Sequence, residues 1–244
     1  MPQKEKNKPK QGNWWWRRFL LSFVPFVIFS IGFIPMLVVI VALYYFIPLP
    51  LLIWLILLPF LIVILLMLLF VSQLLISGTL IRLFHITYEE GTYAYSLRNK
   101  TTFKWLLLCQ LYTPMRKLME TIPMGGLRIT YLRLLGMKIG KNSLVGGVIK
   151  DPCMTSFGDK VTMGEYAVLY AHIHDKSENL LHISPVTIGD ACVIGAGAII
   201  MPGAYMEKGS ILGAGGLVPK NKVLKKGVLY TGQPVQEKST VKKT

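Results

Sequence analysis

Ile188-Gly-Asp-Ala-Cys-Val, Ile194-Gly-Ala-Gly-Ala-Ile, Ile200-Met-Pro-Gly-Ala-Tyr, Met206-Glu-Lys-Gly-Ser-Ile, Leu212-Gly-Ala-Gly-Gly-Leu and Val218-Pro-Lys-Asn-Lys-Val follow one another without a gap. Every six-residue block opens on an aliphatic residue or Met. Three of them follow it with Gly, and five carry a small residue at the fifth position. A period this short and this regular is the mark of a repeat architecture, in which each unit buries its apolar face only by stacking on the next. Three six-residue edges make one 18-residue coil of a triangular β-solenoid, with the leading aliphatic side chain inside the prism. The Gly after it is expected at the tight corner, where backbone freedom is needed.

Working back toward the N-terminus, Ile139-Gly-Lys-Asn-Ser-Leu, Phe157-Gly-Asp-Lys-Val-Thr and Met163-Gly-Glu-Tyr-Ala-Val repeat the pattern. Ile139 and Phe157 lie one full coil apart. From Leu169 to Ile188 the frame breaks, by 19 positions or one more than a coil. That gap holds His172, His174 and His182, three of the four His in the chain. A polar loop that interrupts a regular scaffold is the place to look for function.

The N-terminal half has another character. From Phe19 to Ile81, 63 residues, there is no charged side chain. One membrane span takes roughly 20 apolar residues, and a cleavable signal has an apolar core of only about 7–15. The run breaks at Ile47-Pro48-Leu49-Pro50, which predicts two transmembrane helices near 19–46 and 51–81, kinked at Pro25, Pro35 and Pro59. A three-span reading requires short helices. Lys4, Lys6, Lys8, Lys10, Arg17 and Arg18 against Glu5 flank one end. Ten Lys/Arg against three Glu over residues 82–141 flank the other, and the inter-helix loop is uncharged. The positive-inside tendency then puts both termini and the solenoid on the cytoplasmic side of a multi-pass cell-membrane protein. Trp14-Trp15-Trp16 suit an interfacial anchor.

The composition agrees: 52% hydrophobic residues and a formal net charge of +15, with a mean hydropathy of +0.49. This excludes a disordered chain, and three Cys make no disulfide framework. The charge follows membrane topology and attraction to anionic headgroups; no helix-turn-helix or zinc-finger spacing accompanies it, and no nucleic-acid partner is expected. The expected organisation is a basic tail (1–18), two transmembrane helices (19–81), an amphipathic helical connector (82–138), the solenoid (139–235) and a disordered tail (236–244). Two connector stretches, Phe103 to Tyr112 and Leu127 to Leu135, read as short amphipathic helices that lie on the membrane surface or pack on the solenoid.

Residues 139–235 resemble the hexapeptide-repeat acyltransferases, and most of all their sugar O-acetyltransferase branch. The likeness rests on Ala171-His-Ile-His-Asp175, Pro185-Val-Thr-Ile-Gly189, Ile194 to Gly203, Leu212 to Val218 and Gly232-Gln-Pro-Val235. The membrane helices and the connector are more weakly similar to the membrane-bound C-terminal part of poly-lysine synthetases. The resemblance implies an all-β left-handed parallel β-helix, here preceded by a two-helix transmembrane hairpin and short amphipathic helices. It implies a homotrimer with sites between neighbouring prisms, and acetyl-CoA as acyl donor, with no metal expected. The acceptor would be a hydroxyl or amine of a sugar, a lipid-linked sugar or a cell-envelope precursor.

A general-base His falls on His172 by position, with His174 as runner-up; His174 and His182 otherwise read as solvated loop residues. A neutral imidazole suits the task, since a sugar hydroxyl attacks a thioester only as its proton leaves. By the same resemblance Ala196 and Ala214 contact the coenzyme A arm and Lys220 its nucleotide end. Asp175 and Glu178 miss the place where sugar acetyltransferases often carry an orienting Glu, while Asp151 is within reach from an adjacent coil. Two rival readings remain. One is a non-catalytic trimeric membrane scaffold. The other is a gamma-type carbonic anhydrase-like zinc enzyme using His172, His174 and His182, although the spacing differs from that family's.

Overall fold

The computed structural model describes residues 15–122 and 125–240. The basic residues before Arg17, Trp14 of the aromatic anchor, and the tail beyond 240 lie outside the described residues.

The uncharged run forms α1 (Trp15–Gly32), α2 (Ile34–Phe46) and α3 (Leu51–Leu83). Phe33 interrupts the first two, and Pro35 stands in the opening turn of α2, where its missing N–H costs no helical hydrogen bond. Pro25 and Pro59 are accommodated inside α1 and α3. Two segments, Trp15–Phe46 and Leu51–Leu83, are long and apolar enough to cross a membrane. α1 and α3 meet through polar atoms as well as packing: Gln73 Nε2 donates to the Phe29 carbonyl (2.8 Å) and Ser72 Oγ to that of Gly32 (2.7 Å). The chain-terminal parts of these helices supply buried residues such as Leu21, Ile28, Leu74 and Ile81. α2 has none.

The C-terminal half is a three-sided parallel β-helix. Its first face stacks Lys138–Ile139, Thr155–Phe157, Val186–Ile188, Tyr205–Met206 and Val223–Leu224. The second face stacks Leu144–Val145, Thr162–Met163, Val193–Ile194, Ile211–Leu212 and Val228–Thr231, and the third Val148–Ile149, Val168–Leu169, Ile199–Ile200 and Leu217–Val218. The register pairs block leader with block leader: Ile188 with Met206, Ile194 with Leu212, Ile200 with Val218. All six are within 1% of full burial. The small fifth-position residues Cys192, Ala198, Ala204 and Ser210 fill the space beside them and are equally buried.

Two details of the repeat differ from expectation. The Gly after the block leader does not supply a left-handed conformation. At Gly164 a Cβ would stand 2.7 Å from the Ala196 backbone nitrogen of the next coil, so the residue is small because stacked corners touch. The left-handed turn comes two residues later, at Gly197 (φ 66°) and Gly215 (φ 66°), and is borne elsewhere by Asn142, Lys160 and Ala191. The frame break is also larger than one residue. Leu169 is on the third face and Ile188 on the first, where adjacent faces are six positions apart. The 19 positions between them therefore contain an insertion of 13. Counting from coil to coil hid this, because 19 happens to lie next to 18.

The tail expectation is corrected as well. Gln236–Thr240 form a strand antiparallel to Val228–Thr231, closing the open end of the second face. Its backbone thus finds partners that composition alone did not suggest.

The connector is mixed rather than purely helical. It holds a strand, Gly91–Ala94, then α4 (Lys100–Thr121) and α5 (Gly125–Leu134). Asn99 caps α4 by accepting from the Thr101 and Thr102 amides. α4 docks on the solenoid through Tyr112, whose hydroxyl donates to the Ile149 carbonyl at 2.8 Å. Arg128 of α5 donates to the carbonyls of Gly146 and Gly147. The connector also touches the apolar segment: Ser77 of α3 lies 3.4 Å from the Tyr131 hydroxyl of α5, and Arg17 of α1 reaches the carbonyl of Leu97, before α4, at 2.7 Å.

Candidate active site

The 13-residue insertion leaves the solenoid at the corner between its third and first faces. It folds back as a hairpin of His172–Asp175 and Leu180–Ile183, and the connector strand Gly91–Ala94 adds to its edge, antiparallel to Leu180–Ile183. Asp175 shapes the hairpin turn. Its carboxylate accepts from the Ser177 hydroxyl (2.6 Å) and the Ser177 amide (2.8 Å), contacts that hold it below the usual carboxylate range. It is spent on the turn and does not orient a His.

Asp151 does. The register pairs Ile149 with Leu169, so two residues further along each strand Asp151 underlies Ala171 on the same corner. The Ala171 amide donates to Asp151 Oδ2 at 2.8 Å and the Tyr88 hydroxyl to Oδ1 at 2.7 Å. His172 Nδ1 lies 2.7 Å from Oδ2 and 2.8 Å from Oδ1. Asp151 is fully buried, whereas the His172 side chain retains 19% exposure. A carboxylate only accepts hydrogen bonds, so Nδ1 carries a hydrogen, and in a neutral imidazole Nε2 is then the nitrogen with the lone pair. Burial, and secondly the charge of Asp151, push the Tyr88 hydroxyl well above its usual range, which keeps it a donor. The imidazole is further framed by Trp105 (ring centres 4.8 Å apart, edge-on) and Tyr170 (6.1 Å).

The other two hairpin His point elsewhere. His174 lies on the same face of its strand as His172, but its ring stacks on Tyr95 at 3.8 Å and its Nε2 is buried without a partner. It is not a solvated loop residue. His182 pairs opposite Ile173, hence on the other side of the hairpin, and its Nδ1 meets the Thr92 hydroxyl at 2.9 Å. Alternation along a strand keeps the three imidazoles of one chain from converging on one point. Near Asp151, burial pushes the Cys109 thiol up to about 12 and the Cys153 thiol up to about 11, so neither is poised as a nucleophile.

Lys220 stands on the His172 corner: Leu169 pairs with Ile200 and Ile200 with Val218, which aligns Lys220 with Ala171 two coils on, roughly 10 Å along the prism. Ala196 and Ala214 are exposed and share the corner between the second and third faces, across the third face from His172. The three predicted coenzyme-binding positions therefore occupy two edges of one face.

Tyr88, Tyr95 and Trp105 are contributed by the connector, and sequence reasoning missed them. A signal was present in Thr92-Tyr-Ala-Tyr95, whose alternation is that of a strand.

No family model matches the chain. Among named proteins it is similar to WcaF of Escherichia coli (strain K12), provisionally named a colanic acid biosynthesis acetyltransferase. The two are 26% identical over 131 residues, covering 44% of this chain and 71% of that protein. It is also similar to YvoF of Bacillus subtilis (strain 168), provisionally named an acetyltransferase, at 33% identity over 113 residues, covering 43% and 62%. Among solved structures, a maltose O-acetyltransferase from Clostridium difficile 630 aligns with 63% of this chain and 94% of its own at 18% identity and a TM-score of 0.49. A galactoside acetyltransferase in complex with coenzyme A aligns with 54% and 80% at 17% identity and a TM-score of 0.43. In its six-residue period and its three stacked faces, the C-terminal half of this chain is similar to the hexapeptide-repeat acetyltransferases, and its named relatives are acetyltransferases.

Proposed function

We propose that the protein is a membrane-anchored acetyltransferase that moves an acetyl group from acetyl-CoA to a hydroxyl of a lipid-linked sugar or cell-envelope precursor, with His172 as general base. The observation that carries this reading is the His172–Asp151 contact of 2.7 Å at the interrupted corner. Nε2 of His172 takes the acceptor hydroxyl proton as the oxygen attacks the thioester carbonyl. The C–S bond then breaks and the coenzyme thiolate recovers the proton from the imidazolium, so the base is regenerated and ester and free thiol leave. Asp151 holds the tautomer that makes Nε2 the acceptor and stabilises the imidazolium between the two steps. No covalent enzyme intermediate is required.

The donor would lie along the third face, its arm against the Ala196 and Ala214 corner and its phosphates toward Lys220, in the groove between prisms of a homotrimer. The helical segments Trp15–Phe46 and Leu51–Leu83 would cross the bilayer as a hairpin, with both termini and the solenoid in the cytoplasm. Their charge-free length and the basic residues at both flanks support this. Anchoring would hold the site at the surface where a lipid-linked acceptor is concentrated.

The test is thiol release from acetyl-CoA by detergent-purified protein supplied with membrane glycolipid extracts, beside His172→Ala. Turnover that falls by about 10²–10⁴-fold in the variant supports the assignment. Turnover unchanged in His172→Ala removes the base, and absence of both turnover and coenzyme A binding moves the weight to a non-catalytic scaffold.

A further inference from the structure

α3 ends on two large apolar side chains that the fold leaves uncovered: Leu83 is 65% exposed and Phe84 66%. Arg82 and His85 on either side are exposed as well. Adjacent apolar groups at this exposure are unfavourable in water and mark a contact surface. On α1, Trp15, Trp16 and Phe19 are exposed in the same way.

The start of α4 joins these two ends. The Phe103 ring lies 6.4 Å from that of Trp16, and the Arg17 guanidinium lies 5.5 Å from its centre. The next residue, Lys104, donates to the His85 carbonyl at 3.0 Å. Lys100 is exposed and stands one turn before Lys104, hence on the same face of α4. Trp15–Trp16, the first turn of α4 and Leu83–His85 thus form one edge, in which uncovered apolar side chains alternate with the cations Arg82 and Lys100. Glu89 and Glu90 lead away from it into the connector strand, where Glu90 accepts from the Ser184 hydroxyl at 2.9 Å.

Helix length puts this edge at a membrane boundary. Trp15–Phe46 and Leu51–Leu83 hold 32 and 33 residues. Each runs to roughly 50 Å at most, against about 40–45 Å for a bilayer with its headgroup layers. Tyr44, Tyr45 and Phe46 are exposed at the far end, and Trp15, Trp16 and Phe84 at the near one. Aromatic side chains collect at both interfaces of a bilayer in this manner.

We infer that Leu83–His85 and the first turn of α4 are seated in the headgroup layer of an anionic bilayer, as a contact additional to the spanning helices. Apolar side chains beside cations match the roots of acyl chains beside anionic headgroups. Phe103 and Trp105 are two positions apart and so lie on opposite sides of α4. Trp105 meets the His172 ring at 4.8 Å, so α4 stands between this bilayer contact and His172. The inference rests on the membrane-anchored reading and not on the reaction.

The experiment attaches a nitrobenzoxadiazole probe to single introduced cysteines of the full chain in nanodiscs of phosphatidylglycerol and phosphatidylcholine. Quenching is measured with lipids that carry a nitroxide on the headgroup or deep in the acyl chain. Phe84→Cys reports on the edge, Ile56→Cys on the middle of α3 and Tyr205→Cys on the solenoid, all at exposed positions. The unaltered protein is the blank for Cys109, Cys153 and Cys192. Position 84 is expected to be quenched most by the headgroup nitroxide, position 56 by the deep one and position 205 by neither. Quenching at 84 no stronger than at 205, with 56 quenched, overturns the inference and leaves the spanning helices standing. Quenching at neither 84 nor 56 overturns the anchor with it. Leu83→Cys carries the test where Phe84→Cys does not fold. Moving the nitroxide from phosphatidylcholine to the same amount of phosphatidylglycerol should raise quenching at 84 about twofold or more, and Arg82→Gln with Lys100→Gln should abolish that rise. Equal quenching by the two lipids in the unsubstituted edge overturns the anionic surface.

Discussion

One corner of the prism is built differently from coil to coil. From Ile200 to Met206 and from Val218 to Leu224 the chain passes from the third face to the first in six positions. From Leu169 to Ile188 it takes 19 and carries out a hairpin with His172 at its root. The regular corners are governed by stacking: residues are small where coils touch and left-handed where the chain turns. The interrupted corner is governed by a buried carboxylate and the donors around it. Repetition makes the scaffold, and the departure from it sets His172 beside Asp151.

Asp151→Asn should have the largest effect that separates the two. The amide keeps the shape but can donate to Nδ1, which moves the imidazole hydrogen to Nε2 and removes the base. Acetyl transfer should fall by about 10²-fold or more, with thermal unfolding little changed. A variant that unfolds without a specific loss of rate would make the interrupted corner structural like the others. Next comes Gly164→Ala at a regular corner. Its Cβ would meet Ala196 backbone at 2.7 Å, so stability should drop by about 1–3 kcal/mol. The measurement is thermal unfolding. Gly197→Ala is expected to cost less, about 1 kcal/mol: its φ is 66° but nothing stands within 4 Å of the added carbon. If Gly197→Ala proves the more harmful, turn conformation rather than coil contact limits the corner.

The last effect appears only at alkaline pH. Tyr88 holds its proton well above 10 in the folded chain, through burial first and the Asp151 charge second. Unfolded, it releases it near 10. The folded state therefore binds more protons above that pH, and the stability the group contributes is complete below about pH 10 and declines as pH rises beyond it. Tyr88→Phe should flatten the alkaline decline by up to one proton's worth, about 1.4 kcal/mol per pH unit. An unchanged slope would dissociate Tyr88 from the Asp151 cluster.

How much of this was legible in the sequence follows from what is local. Block leaders such as Ile194 and Leu212 announce themselves because period and burial are written at short range. His172 was marked by the break in that period. The reason for the corner Gly was misread, because the constraint comes from a residue one coil away rather than from the glycine's own backbone. Asp151 was within reach on coil arithmetic alone, yet its selection over Asp175 needed the Ile149–Leu169 register. Tyr88 and Trp105 approach from an aperiodic connector that gives no count by which to place them. His174, read in the sequence as runner-up base or else as a solvated loop residue, is covered by Tyr95 from the same connector.

The connector strand Gly91–Ala94 has a practical consequence. It is the third member of the sheet that carries His172, and Tyr88 just before it braces Asp151. A cut at residue 138, the natural place to separate the solenoid from the apolar helices, would leave the stacked faces and strip the His172 hairpin of its edge strand. The apolar helices and the His172 hairpin are thus sutured by one strand, and removing the first unpicks the second.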